Sequence, residues 1–166
     1  MAGLTGRCLC GAVAYGLTGK PARTTICCCR FCQRATGGAQ LILPVAPMSD
    51  FHLTRGGAAS YTHVSEGSGK AVHLHFCRDC STRLYMTYAR WPDMVGLFGG
   101  TLDNPTVVRF DPTTTKQIFV SSARPGTVVL ATIPACWDHA ARRDGQPEQA
   151  FILDRSTVVD ELERPG

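Results

Sequence analysis

Nine cysteines in a chain of 166 residues constrain its folding more than any other feature. They fall in three clusters and one isolated position: Cys8-Leu9-Cys10, Cys27-Cys28-Cys29-Arg30-Phe31-Cys32, Cys77-Arg78-Asp79-Cys80, and Cys136. An odd number cannot pair fully into disulfides within one chain. The opening MAGLTGRCLCG has neither the basic start nor the apolar stretch of a signal peptide. The expectation is therefore a cytoplasmic protein in a reducing compartment, where disulfides do not persist. Metal binding is the better account of so many thiols.

Spacing suggests how the thiols divide. Side chains two apart in a strand share a face, so Cys8 with Cys10, and Cys27 with Cys29, can each present two sulfurs to one ion. A Cys-x-x-Cys turn such as Cys77 to Cys80 does the same in zinc ribbons. Joining Cys8 and Cys10 to Cys77 and Cys80 completes a tetrahedral set and leaves Cys27, Cys29 and Cys32 as a set of three. Three protein ligands with an open position mark a catalytic rather than a structural zinc. The other assignment gives Cys77 and Cys80 to the second cluster and strands Cys8 and Cys10. The arithmetic favours four plus three, hence two ions per chain.

The remainder of the sequence narrows the class. The length suits one domain with a real core, and 44% hydrophobic against 18% charged residues argues against disorder. No apolar run approaches the roughly 20 residues of a spanning helix, so no membrane partner is expected. A net charge of +4 with scattered arginines gives no footprint for nucleic acid. Ala12–Leu17, Ala39–Val45, Ala71–Phe76, Met94–Gly99, Val107–Phe110 and Gln117–Val120 read as short strands between Gly-, Pro-, Asn- and Asp-rich turns. They predict a mainly β, mainly antiparallel fold over residues 4–136, without long helices. Residues 137–166 read as an appendage packing on the body or on a second subunit of a homodimer, with a short helix over Ser156–Arg164.

CLCGAVAY, CCCRFCQRATGGA, FCRDCSTRLY and GTLDNP together resemble the glutathione-dependent formaldehyde-activating family, which includes the centromere protein V domain. The resemblance runs from about Gly6 to Ser122. It implies a β-tent fold with two zinc ions: a structural one on Cys8, Cys10, Cys77 and Cys80, and a catalytic one on Cys27, Cys29 and Cys32. It further implies a carbon–sulfur lyase that joins glutathione to formaldehyde as S-hydroxymethylglutathione. Three positions depart from the family pattern. Cys28 stands where His is usual, Ser81 where Gly follows the third cluster, and Arg124-Pro125-Gly126 where a Trp is common.

Three thiolates on Zn²⁺ make a poor Lewis acid for activating water, but a thiol entering the open position would lose its proton. Addition of a thiol to an aldehyde is thus favoured over hydrolysis. Arg30 and Arg34 have guanidinium forks suited to the carboxylates of glutathione, weighed against ordinary solvated charges. Tyr85, His73 and His75 lie near the third cluster: Tyr85 as a proton donor, and either histidine as an acid/base group or a fourth metal ligand, are set against plain strand positions. Cys28 reads as a bystander or a redox-sensitive thiol, and Cys136 as a buried filler. The rival readings are a non-catalytic zinc scaffold and a thiol-redox or metal-binding protein.

Overall fold

The computed structural model describes residues 3–66, 68–142 and 145–164. Chain order runs β1 (Leu4–Arg7), β2 (Ala14–Leu17), β3 (Arg23–Cys27), α1 (Arg30–Thr36) and β4 (Leu41–Pro47). There follow β5 (Phe51–Arg55), β6 (Ala59–Val64), β7 (Ala71–Phe76), β8 (Arg83–Tyr88) and β9 (Met94–Leu97). The last strands are β10 (Thr115–Ile118), β11 (Val128–Val129) and β12 (Thr157–Val158). The fold is mainly β, as expected, and divides into two compact units.

The first unit comprises the chain up to Arg23 together with Leu43–Arg109. β1, β2 and β5 form one antiparallel sheet, with Leu4 opposite Leu17 and Tyr15 opposite Leu53. β4, β9, β8, β7 and β6 run antiparallel in that spatial order. Alternation along these strands sends Tyr15, Leu17, Leu84, Val95 and Leu97 into one core, all at most 1% exposed. Burial of each such side chain contributes on the order of 1.5–3 kcal/mol. Cys8 and Cys77 belong to the same core cluster, so this unit's packing brings two distant cysteine motifs together. The GTLDNP motif has a local task here. Asp103 accepts from Thr5 Oγ1 at 2.8 Å and pairs with Arg7 Nε at 3.0 Å, holding the end of β1 just before Cys8.

The second unit comprises Thr24–Ile42 and the chain from Phe110 onward. β10 lies parallel to β3, with Ile118 opposite Cys27, and α1 follows β3 after two residues. Val120, Val129 and Ala135 form one of its core clusters. Trp137, Phe151, Leu153, Val159 and Leu162 pack on that core.

Several expectations are corrected. Val107–Phe110 is not a strand. Pro105 opens a 3-10 turn through Val107, capped by the Asn104 side chain, which accepts from the Thr106 N–H at 3.0 Å. Gln117–Val120 stops early because Phe119 adopts a left-handed conformation (φ 59°, ψ 42°) that no strand accommodates. Ser156–Arg164 is not a helix: β12 and a 3-10 turn over Val159–Glu161 replace it, as the β-branched run Thr157-Val158-Val159 prefers. Cys8 and Cys10 lie in the turn between β1 and β2 rather than in a strand, where Gly11 turns the chain at φ 75° and donates to the Cys8 carbonyl. Strands β1, β3, β5, β6 and β11 and helix α1 have no counterpart in the sequence reading, and β8 has one only in the strand position read for Tyr85.

Candidate functional site

Two groups of side chains among the described residues could hold a metal ion, and both consist of cysteines. In the first unit the sulfurs of Cys8, Cys10, Cys77 and Cys80 all lie within 4.8 Å of one another. Cys8 Sγ is 3.5 Å from Cys10 Sγ, and Cys10 Sγ is 3.7 Å from Cys77 Sγ. Four sulfurs at about 2.3 Å around a tetrahedral ion stand ~3.8 Å apart, so the donor set fits zinc in number, type and spacing. Two turns deliver it. Ser81 N–H closes the Cys77–Cys80 turn onto the Cys77 carbonyl at 2.9 Å, and a bulge between His75 and Phe76 precedes that turn.

Supporting donors face these sulfurs. Val13 N–H points at Cys8 Sγ from 3.3 Å, and Thr82 Oγ1 lies 3.1 Å from Cys80 Sγ. The Thr82 hydroxyl is the main cause of a Cys80 thiol pulled down to about 5. Hydrogen bonds of this kind orient metal-bound thiolates and spread their charge.

In the second unit Cys27, Cys29 and Cys32 converge within the same 4.8 Å. Cys27 ends β3, Cys29 caps α1 in extended conformation (φ −65°, ψ 155°), and Cys32 lies in the first turn of the helix. The Cys32 N–H donates to Cys29 Sγ at 3.4 Å, so a thiol takes the capping role usually held by Ser or Asp. Cys27 and Cys32 hydrogen-bond to Cys29 and, with nearby backbone N–H groups, hold its thiol down at about 3. The bond to Cys29 pushes the Cys27 thiol upward, and bonds to Cys27 and then to Cys29 push the Cys32 thiol upward. Without metal, the cluster therefore concentrates one negative charge on Cys29.

Cys28 is buried, and burial followed by the charge on Cys29 raises its thiol to about 11. Its Sγ faces Gln40 Oε1 at 3.8 Å and is not part of the converging triple. Cys136 is fully buried. Arg30 donates through Nη1 to Gln33 Oε1, and Arg34 is exposed in the last turn of α1. His73 meets Thr62, and His75 meets Thr87 while stacking on Tyr85 with ring centroids 4.3 Å apart. Tyr85 is a core residue of the first unit. Neither histidine joins a metal-competent group.

Sequence reasoning missed Gln33, Thr82 and the left-handed Phe119. Gln33 is 5% exposed, and its Nε2 donates to the carbonyls of Cys28 (2.6 Å) and Ser122 (2.8 Å). No spacing rule singles out a lone Gln after a cysteine.

Residues 3–122 match the family described as "Glutathione-dependent formaldehyde-activating enzyme". A Halomonas elongata protein, provisionally named as such an enzyme, is 27% identical over 104 residues. That match covers 61% of this chain and 66% of the relative's own length. A crystal structure of a Rhodobacter sphaeroides protein is also similar, at 27% identity, covering 61% of this chain and 92% of that one, with a TM-score of 0.48. With the family match spanning most of the sequence and all three cysteine clusters inside it, the chain belongs to the glutathione-dependent formaldehyde-activating enzyme family.

Proposed function

We propose that the protein is a zinc-dependent carbon–sulfur lyase-type enzyme that joins the thiol of glutathione to formaldehyde. Cys8, Cys10, Cys77 and Cys80 are its structural zinc site and Cys27, Cys29 and Cys32 its catalytic one. The observation that carries the reading is the difference between four converging sulfurs in the first unit and three in the second. Bound to three thiolates, the ion would supply an open position at which a substrate thiol loses its proton.

The chain's own residues prepare that position. The helix cap and hydrogen bonds from Cys27 and Cys32 fix the Cys29 sulfur and favour its thiolate. Cys27 and Cys32 are buried, which limits the access of water to their sulfurs. In the reaction, the substrate sulfur forms a bond to the carbonyl carbon of formaldehyde, the C=O π pair moves to oxygen, and the proton given up by the thiol ends on that oxygen. The product is a hemithioacetal, and the reverse path cleaves the same C–S bond. The matched family and the name of the Halomonas relative support glutathione and formaldehyde as the pair.

Native mass spectrometry of the reduced protein, with and without glutathione, tests the reading. The expected result is two zinc ions per chain and a glutathione adduct that disappears in Cys29→Ser. One zinc and no adduct would instead support a scaffold with a single structural ion.

A further inference from the structure

Gln33 occupies a place where an apolar residue would pack more cheaply, since burying an amide is unfavourable unless its polar groups are paired. Every one of them is. Both uses of Nε2 are as donor, to the carbonyls of Cys28 and Ser122, and Oε1 accepts from Arg30 Nη1. The Gln33 backbone N–H also donates, to the carbonyl of Cys29 at 3.0 Å. The carbonyls of Cys28 and Cys29 belong to the two peptide groups on either side of the Cys29 Cα. One residue therefore grips the backbone of the middle thiol from both sides. The Cys28 N–H is held in turn by the carbonyl of Ile118 at 3.0 Å. Ser122 lies in the turn that begins at Phe119, a bulky side chain in the left-handed region that persists only where surrounding structure over-determines it.

We propose that Gln33 is the positioning residue of the second cluster: by fixing the peptide planes around Cys29 it sets the convergence of Cys27, Cys29 and Cys32, and so the metal affinity of that site. The role rests on reading the cluster as a metal site. Arg30 works through Gln33, because a cation on Oε1 polarises the amide and strengthens its N–H donors. On this account the charge of Arg30 serves the site's geometry, not a substrate carboxylate.

The test is cobalt(II) titration of the full-length, metal-stripped, reduced protein against a competing chelator, read by thiolate-to-cobalt charge-transfer absorption. Cys29→Ser identifies which of the two binding steps belongs to the second cluster. Gln33→Met keeps the side-chain length and removes its hydrogen bonds, whereas Gln33→Glu keeps the acceptor for Arg30 and loses both donors. Both variants are expected to bind cobalt at the second cluster about 10- to 100-fold more weakly, with the first cluster unchanged. Arg30→Met, at an exposed position, is expected to weaken the second cluster by a smaller factor, and it decides the matter if the Gln33 variants do not fold. Wild-type affinity at the second cluster, or equal weakening of both clusters, would overturn the positioning role. A wild-type protein that binds one cobalt would overturn the metal reading itself, and this role with it.

Discussion

Ser81 sits immediately after Cys80 at φ 58°, in the left-handed region. For a residue with a Cβ this conformation costs roughly 1–2 kcal/mol, which explains why glycine suits the position after a Cys-x-x-Cys turn. Glycine's greater freedom in the unfolded chain offsets part of the gain. Ser81→Gly is therefore expected to stabilise the metal-loaded protein by about 0.5–1 kcal/mol in denaturant titration. Cys28 gives a second test at this scale. Its thiol is buried, raised to about 11 and turned toward Gln40, so Cys28→Ala should bind the same number of metal ions as the wild type. Loss of an ion in that variant would place Cys28 among the ligands.

At the scale of elements, α1 is only seven residues long and would not persist alone. Cys29 caps its start, and Gly37, at φ 70°, closes its end by donating to the Gln33 carbonyl at 2.8 Å. Serine at position 29 would retain an oxygen able to accept the Cys32 N–H. Cys29→Ser should therefore fold with a near-normal melting curve while losing one metal ion and any activity. Under the proposed function the turns of the first cluster would behave differently, since a structural zinc contributes on the order of 10–16 kcal/mol, as much as or more than a domain's net stability. Cys10→Ser or Cys80→Ser is expected to yield unfolded or insoluble protein; a normal melting curve for either would refute their place in a structural site.

For the molecule as a whole, each unit carries its own thiol cluster, and proton release sets how metal loading depends on pH. In the second cluster Cys29 is held down at about 3 while Cys27 and Cys32 are held above the ordinary thiol value of 9.0. Near neutral pH the metal-free cluster thus bears one thiolate and two thiols. Loading a metal onto three thiolates expels about two protons, so apparent affinity should rise about a hundredfold per pH unit there and fall as pH drops. Chelator competition at two pH values measures this directly; a pH-independent second site would contradict it.

The division of the cysteines into clusters was legible in the sequence because short spacings are local geometry, although Cys8 and Cys10 converge through a turn and not through the expected strand. The pairing of Cys10 with Cys77, 67 residues apart, was legible only as arithmetic. What brings them together is a core in which Cys8 and Cys77 pack with Tyr15, Leu84 and Leu97. Several strands went unseen, β5 and β6 among them, because their mixed polar and apolar residues carry weak signals until neighbouring strands supply hydrogen bonds. Helix α1 went unseen because seven residues carry too little periodicity. By itself, then, the sequence determined the candidate donor atoms, their clusters and the mainly β class, all set by residue chemistry over short spans. Only the tertiary structure decided that Cys28 faces Gln40, that Arg30 bonds to Gln33 and that Gln33 grips the backbone of Cys29. Those outcomes depend on which groups are buried together, and burial is a property of the folded chain.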